Sequence, residues 1–289
     1  MHERLEPLDA VELDLPVEAL KRGFADYFVP IPVDRKMLLH MLAHDGVDAS
    51  LSRLVLLDDA AIGCALVARR GWTSRLAGMA IVPEARGKGV GRRTMQALIV
   101  QARERGDRRM VLEVIERNEP ALKLYESLGF ARVRRLVSLD RSASDVRDEF
   151  DAGESSRMQE IGIQEVARTV ATHGFPDLPW QLSAESLALS SPPARAFRLG
   201  GAAVVVTDLQ ADRVAILSLI VEQDARGAGR AQHMLRTLFA AHPGKSWRVP
   251  ALCPEEAAGP MLAVGFERAD LSQLQMALAL DLPSSEAQP

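Results

Sequence analysis

The chain has 289 residues, of which 47% are hydrophobic and 26% are charged, and its net charge is -4. This composition predicts a globular protein of two domains or one large one, and it excludes disordered and collagen-like chains. The acidic balance disfavours a general role in binding nucleic acid or a membrane surface. No apolar run reaches the roughly 20 residues of a transmembrane helix.

The N-terminal residues include acids and lack the apolar core of a secretory signal. The two cysteines, Cys64 and Cys253, lie far apart in apolar or mixed surroundings, so we expect buried free thiols. Together these features predict a cytoplasmic protein.

In chain order, the first 140 residues predict two helices, an antiparallel hairpin and a further strand, followed by two helix–strand pairs. Asp58 and Asp59 form the predicted hairpin turn, Asn118 the N-cap of the last helix and Gly129 its C-terminal glycine. This order predicts an α/β fold, a mixed sheet with helices on both faces. The predicted helices cover 17–24, 35–42, 91–105 and 119–128, and the strands cover 51–57, 62–68, 76–82, 110–115 and 130–139.

A repeated segment indicates a tandem duplication. The sequence Ala-Arg-Gly-x-Gly occurs at 85–89 and again at 225–229, each time after an apolar strand and before an amphipathic helix. A Gly-Phe pair follows in both halves, at 129–130 and 265–266. We therefore predict a first domain over 1–140, a linker over 141–157, a second domain over 158–282 and a disordered tail over 283–289.

The glycine-rich loop of residues 86–91 is suited to a phosphate group. Its glycines let the backbone approach a ligand closely, and free amides at the start of a helix attract anions. The loop lacks the Lys-Ser/Thr of a Walker A motif and the third glycine of a dinucleotide fingerprint. Coenzyme A remains as the candidate ligand, and a surface turn without a ligand is the alternative.

The loop and the segment 112–130 together resemble the GNAT superfamily of N-acetyltransferases. The family's phosphate loop, Arg/Gln-x-x-Gly-x-Gly/Ala, is matched by Arg86, Gly89 and Gly91, and again by Arg226, Gly229 and Ala231. The segment 112–130 is similar to the ribosomal-protein N-terminal acetyltransferases. The resemblance implies tandem mixed, mostly antiparallel twisted sheets whose fourth and fifth strands splay apart to hold acetyl-CoA.

The resemblance also implies roles for single residues in the first copy. Tyr125 would donate a hydrogen bond to the sulfur of CoA, or else be a core residue. Glu113 would be a general base acting through water, or else a solvated or salt-bridged glutamate, with Glu116 and Glu84 as weaker candidates. The implied CoA-binding residues are Ala80, Ile81, Val82, Arg86, Gly87, Lys88, Gly89, Val90, Gly91, Arg92, Asn118 and Tyr125.

The second copy retains a loop that is a candidate for binding a second CoA, formed by Arg226, Gly227, Ala228, Gly229, Arg230 and Ala231. Alignment on the Gly-Phe pair places Met261, Pro254 and Val249 where the first copy has Tyr125, Asn118 and Glu113. Pro260 would also break a regular helix that begins at Glu255. We therefore expect the second copy to be catalytically weak or silent.

These patterns predict an N-acetyltransferase that moves acetyl from acetyl-CoA to a primary amine by direct attack in a ternary complex. The acceptor would be a small molecule or a peptide. An acyltransferase with another acyl-CoA and a non-catalytic acyl-CoA-binding sensor are the alternatives. We expect no nucleic-acid or membrane partner, and a monomer in which the two copies pack as an internal pseudo-dimer.

Weaker signals concern the acceptor site and metals. Tyr27, Phe28 and Asp34 would wall the acceptor site in the family, or else staple two helices together, and Trp180 has the comparable place in the second copy. His40 and His44 have the i, i+4 spacing of metal ligands, but no third ligand is evident, so we expect no metal site.

Overall fold

The computed structural model describes residues 2–143 and 157–280 and divides into two compact units. Unit 1 contains the described residues up to Val133 and those from Leu274 onward, and unit 2 runs from Arg134 to Gln273. The predicted tail and all but the ends of the predicted linker lie outside the described residues.

Unit 1 contains every helix and strand that the sequence predicts before residue 130, each shifted by at most a few residues. Its N-terminal strand was not predicted, because Glu3–Pro7 shows no clean alternation of apolar and polar residues. The strands are β1 (Glu3–Pro7), β2 (Arg53–Leu57), β3 (Ala60–Arg70), β4 (Thr73–Ile81) and β5 (Arg109–Ile115), and the helices are α1 (Asp14–Gly23), α2 (Arg35–His44), α3 (Val90–Glu104) and α4 (Glu119–Ser127).

The second sequence copy repeats the same order of elements after β6 (Ala131–Arg141), most of which belongs to unit 2. The tandem arrangement is therefore confirmed. The elements are β7 (Gln159–Ile161), α5 (Ile163–His173), α6 (Ala184–Ala188), β8 (Arg195–Leu199), β9 (Ala202–Val206), β10 (Arg213–Val221), α7 (Arg230–Ala241), β11 (Ser246–Pro254), α8 (Gly259–Leu262) and β12 (Glu267–Ala279).

Each unit is completed by a strand from the other sequence copy. In unit 1 the strand order is β1-β2-β3-β4-β5-β12, and Leu274, Met276 and Leu278 of β12 pack in a core with Tyr125. In unit 2 the order is β6-β11-β10-β9-β8-β7, and Leu139 of β6 lies in that core. The predicted domain ranges, 1–140 and 158–282, follow the two sequence copies and stay a prediction. The compact units differ from these ranges because the C-terminal half of β12 belongs to unit 1 and most of β6 belongs to unit 2.

The fourth and fifth strands of each unit separate after a short parallel ladder. In unit 1 the ladder pairs 73–76 with 109–112, and in unit 2 it pairs 213–215 with 246–248. Their neighbours β3 and β9 pair with β4 and β10 in antiparallel fashion. The predicted mixed sheets with splayed strands are therefore confirmed, and each unit has a cleft at the point of separation.

Helices cover both faces of the unit 1 sheet. Met95, Leu98 and Ala102 recur with helical spacing on α3 and are buried against strand residues such as Leu112. On the other face α1 approaches β4 so closely that a Cβ on Gly23 would lie 2.6 Å from the Cβ of Ala80. Within the described residues, no helix combines the length and apolar character needed to cross a membrane.

Candidate functional site

The glycine-rich loop between β4 and α3 has open space beside Gly87 and uncapped amides at the start of the helix. Gly87 and Gly89 have φ values of 72° and 77°, which only glycine adopts at low cost. Gly89 is the N-cap of α3 and supplies no side-chain cap, so the first amides of the helix have no acceptor within it. A Cβ on Gly87 would meet no described atom within 4 Å. This helix start therefore has the geometry of an anion site.

Arg86 holds the loop in place. Its Nε donates to the carbonyl of Ile81 at 2.9 Å, and Nη2 donates to the carbonyl of Gly23 at 2.8 Å. Its guanidinium also forms two hydrogen bonds to the Asp26 carboxylate, at 2.6 and 2.8 Å, which lower the pKa of Asp26 below its usual value. The predicted contact of Arg86 with a cofactor stays a prediction, and these bonds give the side chain a structural role.

Two further basic residues of the loop lie at the surface. Lys88 is exposed, and Arg92 donates to Ser127 Oγ at 2.7 Å. Arg93 donates to the Glu3 carboxylate at 2.5 Å, which ties the start of α3 to β1. The positive charge around the loop is thus partly neutralised by neighbouring acids.

The backbone of β4 offers hydrogen bonds to the cleft at alternate residues. Val82 N–H donates to the carbonyl of Ile62 in β3 at 3.0 Å. Since successive residues of an antiparallel strand direct their peptide groups to opposite sides, those of Ile81 and Met79 are directed towards the cleft. Ile81 is among the CoA-binding residues predicted from the sequence, whereas Met79 is not, because the sequence does not reveal which residues of β4 pair with β3. Ala80 and Val82 direct theirs towards β3.

Tyr125 is buried on α4, with its ring centroid 5.8 Å from that of Phe130. Burial, with a smaller effect of Tyr27, raises the pKa of Tyr125 above that of an ordinary phenol. The Tyr27 hydroxyl forms a hydrogen bond with the side chain of Asn118, which also caps α4 by accepting from Ala121 N–H at 3.3 Å. The structure therefore brings Tyr27, Asn118 and Tyr125 together, and Asn118 is confirmed as an N-cap.

Glu113 lies one residue beyond the last ladder pair of β4 and β5, and its side chain is only 3% exposed. Arg75 Nε and Nη2 both contact Glu113 Oε2, at 2.9 and 2.8 Å. Oε1 is buried and has no hydrogen-bond partner among the described residues. The salt-bridged state is thus present in this structure, and the role of Glu113 as base stays a prediction.

Arg75 was not predicted, although a charged residue inside a strand of buried apolar residues is itself a signal. The other acid considered near the loop, Glu84, is exposed and forms an ion pair with Arg22.

An aromatic group follows α1. The ring centroids of Phe24 and Tyr27 lie 5.1 Å apart, and those of Tyr27 and Phe28 lie 5.4 Å apart, both edge to face. The Arg117 guanidinium, next to Asn118, lies 5.7 Å from the Phe28 ring centroid. Asp34 caps α2 by accepting from Met37 N–H at 2.7 Å. Tyr27 and Phe28 therefore lie next to the N-terminus of α4, whereas helix capping accounts for Asp34.

Unit 2 repeats the loop geometry. Gly227 and Gly229 have φ values of 77° and 69°, and Arg226 Nε donates to the carbonyl of Val221 at 3.2 Å. Arg226 also donates to the carbonyl of His173, as Arg86 does to Gly23. In place of the Asp26 contact, Arg226 lies over the Phe175 ring.

The ladders correct one predicted equivalence. Thr73 pairs with Arg109, and Arg213 pairs with Ser246, so the strand position of Glu113 corresponds to Pro250 and not to Val249. The prediction was wrong because counting back from Gly265 ignores a one-residue shortening between the fifth strand and the following helix. Pro260 does shorten that helix, since α8 spans only Gly259–Leu262.

The repeated α/β units, with splayed strands and a glycine-rich helix start in each, define the tandem acetyltransferase fold. The solved structure of a tandem GNAT protein from the clavulanic acid biosynthesis pathway shares this fold with a TM-score of 0.64. It is 13% identical, and the match covers 98% of this chain and 100% of that one. The acetyltransferase (GNAT) family profile matches residues 17–130. The first sequence copy is therefore similar to this family over residues 17–130.

Two curated proteins are similar to parts of the chain. N-alpha-acetyltransferase 30 of Schizosaccharomyces pombe is 41% identical over 87 residues, which are 29% of this chain and 58% of that protein. Streptothricin acetyltransferase of Streptomyces lavendulae is 37% identical over 91 residues, or 30% and 48% of the two chains. The chain thus spans about half the length of the curated relatives it matches.

Proposed function

We propose that unit 1 is an N-acetyltransferase that moves acetyl from acetyl-CoA to a primary amine. The observation that carries the proposal is the meeting of Tyr27, Asn118 and Tyr125 close to the splayed strands that carry the glycine-rich loop. The match of residues 17–130 to the acetyltransferase (GNAT) family, whose members typically use acetyl-CoA, supports it.

The residues present fit acetyl-CoA, which supplies an activated acetyl thioester when bound. The open amides of residues 90–92 suit its pyrophosphate. The peptide groups of Met79 and Ile81, directed towards the cleft, suit the amide-bearing pantetheine arm, which would add like a further strand. Gly87, Lys88 and Gly89 leave room for the phosphates, and Asn118 and Tyr125 lie towards the thioester end.

Tyr125 is proposed to stabilise the leaving sulfur. Its raised pKa keeps the hydroxyl protonated at neutral pH, so that it is available as a donor. A thiol has an ordinary pKa of about 8.5, well below that of this phenol. Tyr125 therefore donates a hydrogen bond to the departing thiolate without losing its own proton, and the proton that neutralises the sulfur comes from the attacking amine.

The amine must lose a proton, because a lysine-like ammonium has a pKa of about 10 and lacks a free lone pair. Glu113 Oε1, which has no partner among the described residues, is the proposed acceptor of that proton through water. Arg75 contacts Oε2 at 2.8 Å and orients the carboxylate. The aromatic group with Tyr27 and Phe28 is the proposed wall for the acceptor. The names of the two curated relatives indicate different acceptors, an α-amine and streptothricin, so the proposed class is a primary amine of either kind.

The test is release of free CoA thiol from acetyl-CoA in the presence of a panel of primary amines, including peptides and small molecules. We expect release that depends on the amine, and in Tyr125→Phe a release that is slower by about 100-fold or more with acetyl-CoA binding retained. Binding of acetyl-CoA without release for every amine would overturn the proposal and favour the sensor alternative.

A further inference from the structure

Unit 2 contains a cavity of about 440 Å³ in the cleft between β10 and β11. This volume is within the range of about 300–1,000 Å³ that is typical of small-molecule sites. Arg226 and Arg230 of the glycine-rich loop line one part of it, and Val170, Leu178 and Leu182, on and after α5, line another. The cavity therefore connects the loop with the side on which unit 1 would hold its acceptor.

The lining separates charge from apolar surface. The loop contributes two arginines and the uncapped amides at the start of α7. Around the strands and helices the cavity is lined mainly by apolar side chains, among them Val170, Phe175, Leu178, Leu182, Leu219 and Met261. Such a site suits a ligand with an anionic head and an apolar tail.

The groups proposed for amine chemistry in unit 1 have no counterparts here. The ladder positions of Arg75 and Glu113 hold Ala215 and Pro250, so the buried ion pair is replaced by apolar residues. Met261 stands in place of Tyr125. Glu256 also lines the cavity, but its carboxylate pairs with Arg134 at 3.0 Å. An amine would lose its water on entry and would have to compete with Arg134 for this acid, which disfavours its entry.

Cys253, in the cavity wall, does not replace the missing groups. Burial, with a smaller effect of Glu256, raises the pKa of Cys253 to about 12. The thiol therefore stays protonated at neutral pH and is a poor nucleophile towards a thioester.

We propose that unit 2 binds a medium-chain acyl-CoA, with its phosphates at the loop of Arg226–Ala231 and its acyl chain in the apolar cavity, and retains it without transferring the acyl group. The apolar chain occupies the space that an amine acceptor would need. This proposal rests on the tandem fold and the cavity, and it does not require unit 1 to be catalytic.

The cavity would select among acyl-CoA ligands by the length of the acyl chain. Each buried methylene strengthens binding by about fourfold. Octanoyl-CoA carries six more carbons than acetyl-CoA, so even partial burial gives unit 2 a preference of about 30-fold or more for octanoyl-CoA.

The experiment is calorimetric titration of the full chain carrying Gly89→Glu, which places a carboxylate in the loop of unit 1 and leaves the unit 2 site to be measured. The ligands are CoA, acetyl-CoA, octanoyl-CoA and free octanoate. Leu178→Asp adds a charge to the apolar wall, Arg230→Glu reverses a charge at the loop, and Arg236→Glu is the matched charge reversal on an exposed part of α7. Thermal melting of each variant checks folding.

We expect octanoyl-CoA to bind about 30-fold or more tightly than acetyl-CoA, and octanoate to bind weakly because it lacks the phosphates. Leu178→Asp should remove the preference and leave CoA binding intact, whereas Arg230→Glu should weaken every CoA ligand and Arg236→Glu none. Equal affinity for acetyl-CoA and octanoyl-CoA, or no binding to unit 2, would overturn the proposal. Octanoate binding as tightly as octanoyl-CoA would assign the cavity to a fatty acid instead.

If Gly89→Glu impairs folding, the stoichiometry of octanoyl-CoA binding to the otherwise unchanged chain decides the same question. The proposal expects the unit 2 site to be lost in Arg230→Glu and retained in Tyr125→Phe. A protein that binds octanoyl-CoA in unit 2 but acetylates no amine would overturn the proposed function of unit 1 and leave this inference standing.

Discussion

At the scale of single residues, the chemistry proposed for unit 1 depends on two buried polar side chains, Tyr125 and Glu113. Tyr125 packs in the core and owes its raised pKa chiefly to burial. Glu113 is held by Arg75, which compensates the cost of burying its charge. Both side chains are therefore buried and held in defined positions, Tyr125 by core packing and Glu113 by Arg75.

Replacing Tyr125 with Phe should lower kcat by about 100-fold or more, because the hydrogen bond to the leaving sulfur is lost while the ring still fills its place. Since its pKa is raised, Tyr125 stays protonated across the neutral and mildly alkaline range. The pH dependence of the residual activity should therefore keep its shape. Steady-state rates between pH 6 and about pH 9.5 would test this expectation. An alkaline limb that disappears in the variant would contradict it.

Removing one member of the Arg75–Glu113 pair should be more costly than removing both. Arg75→Met leaves a buried carboxylate unpaired and should destabilise unit 1 by about 3 kcal/mol or more. The double variant Arg75→Met, Glu113→Leu should recover most of that loss, as the apolar Ala215 and Pro250 of unit 2 suggest. Denaturant unfolding of the four chains in the cycle measures both effects, and additive losses would show that the pair is not coupled.

At the scale of elements, the glycine-rich loop is shaped by local backbone conformation. Gly89 has a positive φ, and a Cβ there would lie 2.8 Å from Arg93 Nη1. The same conformation recurs at Gly229. The loop therefore needs glycine at this position whether or not a ligand is present.

Gly89→Ala should destabilise the protein by about 1–2 kcal/mol, because an L-residue is strained in this region of φ. It should also raise the KM for acetyl-CoA, since the start of α3 must shift. Gly259→Ala is the matched control, because Gly259 has no positive φ and a Cβ there meets no described atom within 4 Å. Melting temperatures and KM values of the two variants provide the comparison. Equal effects would show that the loop conformation carries no special requirement.

At the scale of the whole molecule, each unit depends on residues from the other sequence copy. Met276 and Leu139 are fully buried, Met276 in the core of unit 1 and Leu139 in the core of unit 2. Neither copy of the sequence therefore contains all of the core that its unit needs.

Met276→Ala should destabilise unit 1 and Leu139→Ala should destabilise unit 2, each by about 2–5 kcal/mol. Amide hydrogen exchange read by mass spectrometry locates the effect. Met276→Ala should speed exchange in peptides of β5 and α3, and Leu139→Ala should do so in peptides of β9 and β11. Faster exchange confined to the copy that carries the substitution would contradict the exchange of strands.

The sequence by itself determined the elements of unit 1 from α1 to α4, the tandem repeat, the glycine-rich loops, and the caps at Asn118 and Gly129. These features depend on local periodicity, on backbone conformations that favour glycine, and on short-range hydrogen bonds, all of which are encoded within a few residues. They were sufficient to indicate the family and to propose its chemistry.

Only the tertiary structure decided which strand completes each unit, that Arg75 pairs with Glu113, and that Pro250 is the counterpart of Glu113. It also decided that Met79 and Ile81 direct their peptide groups to the cleft, and that unit 2 contains an apolar cavity. Each of these depends on strand pairing or on contacts between residues far apart in the chain. Apolar strands are similar in pattern and can pair in several registers, so local sequence leaves the partner open until the cores pack.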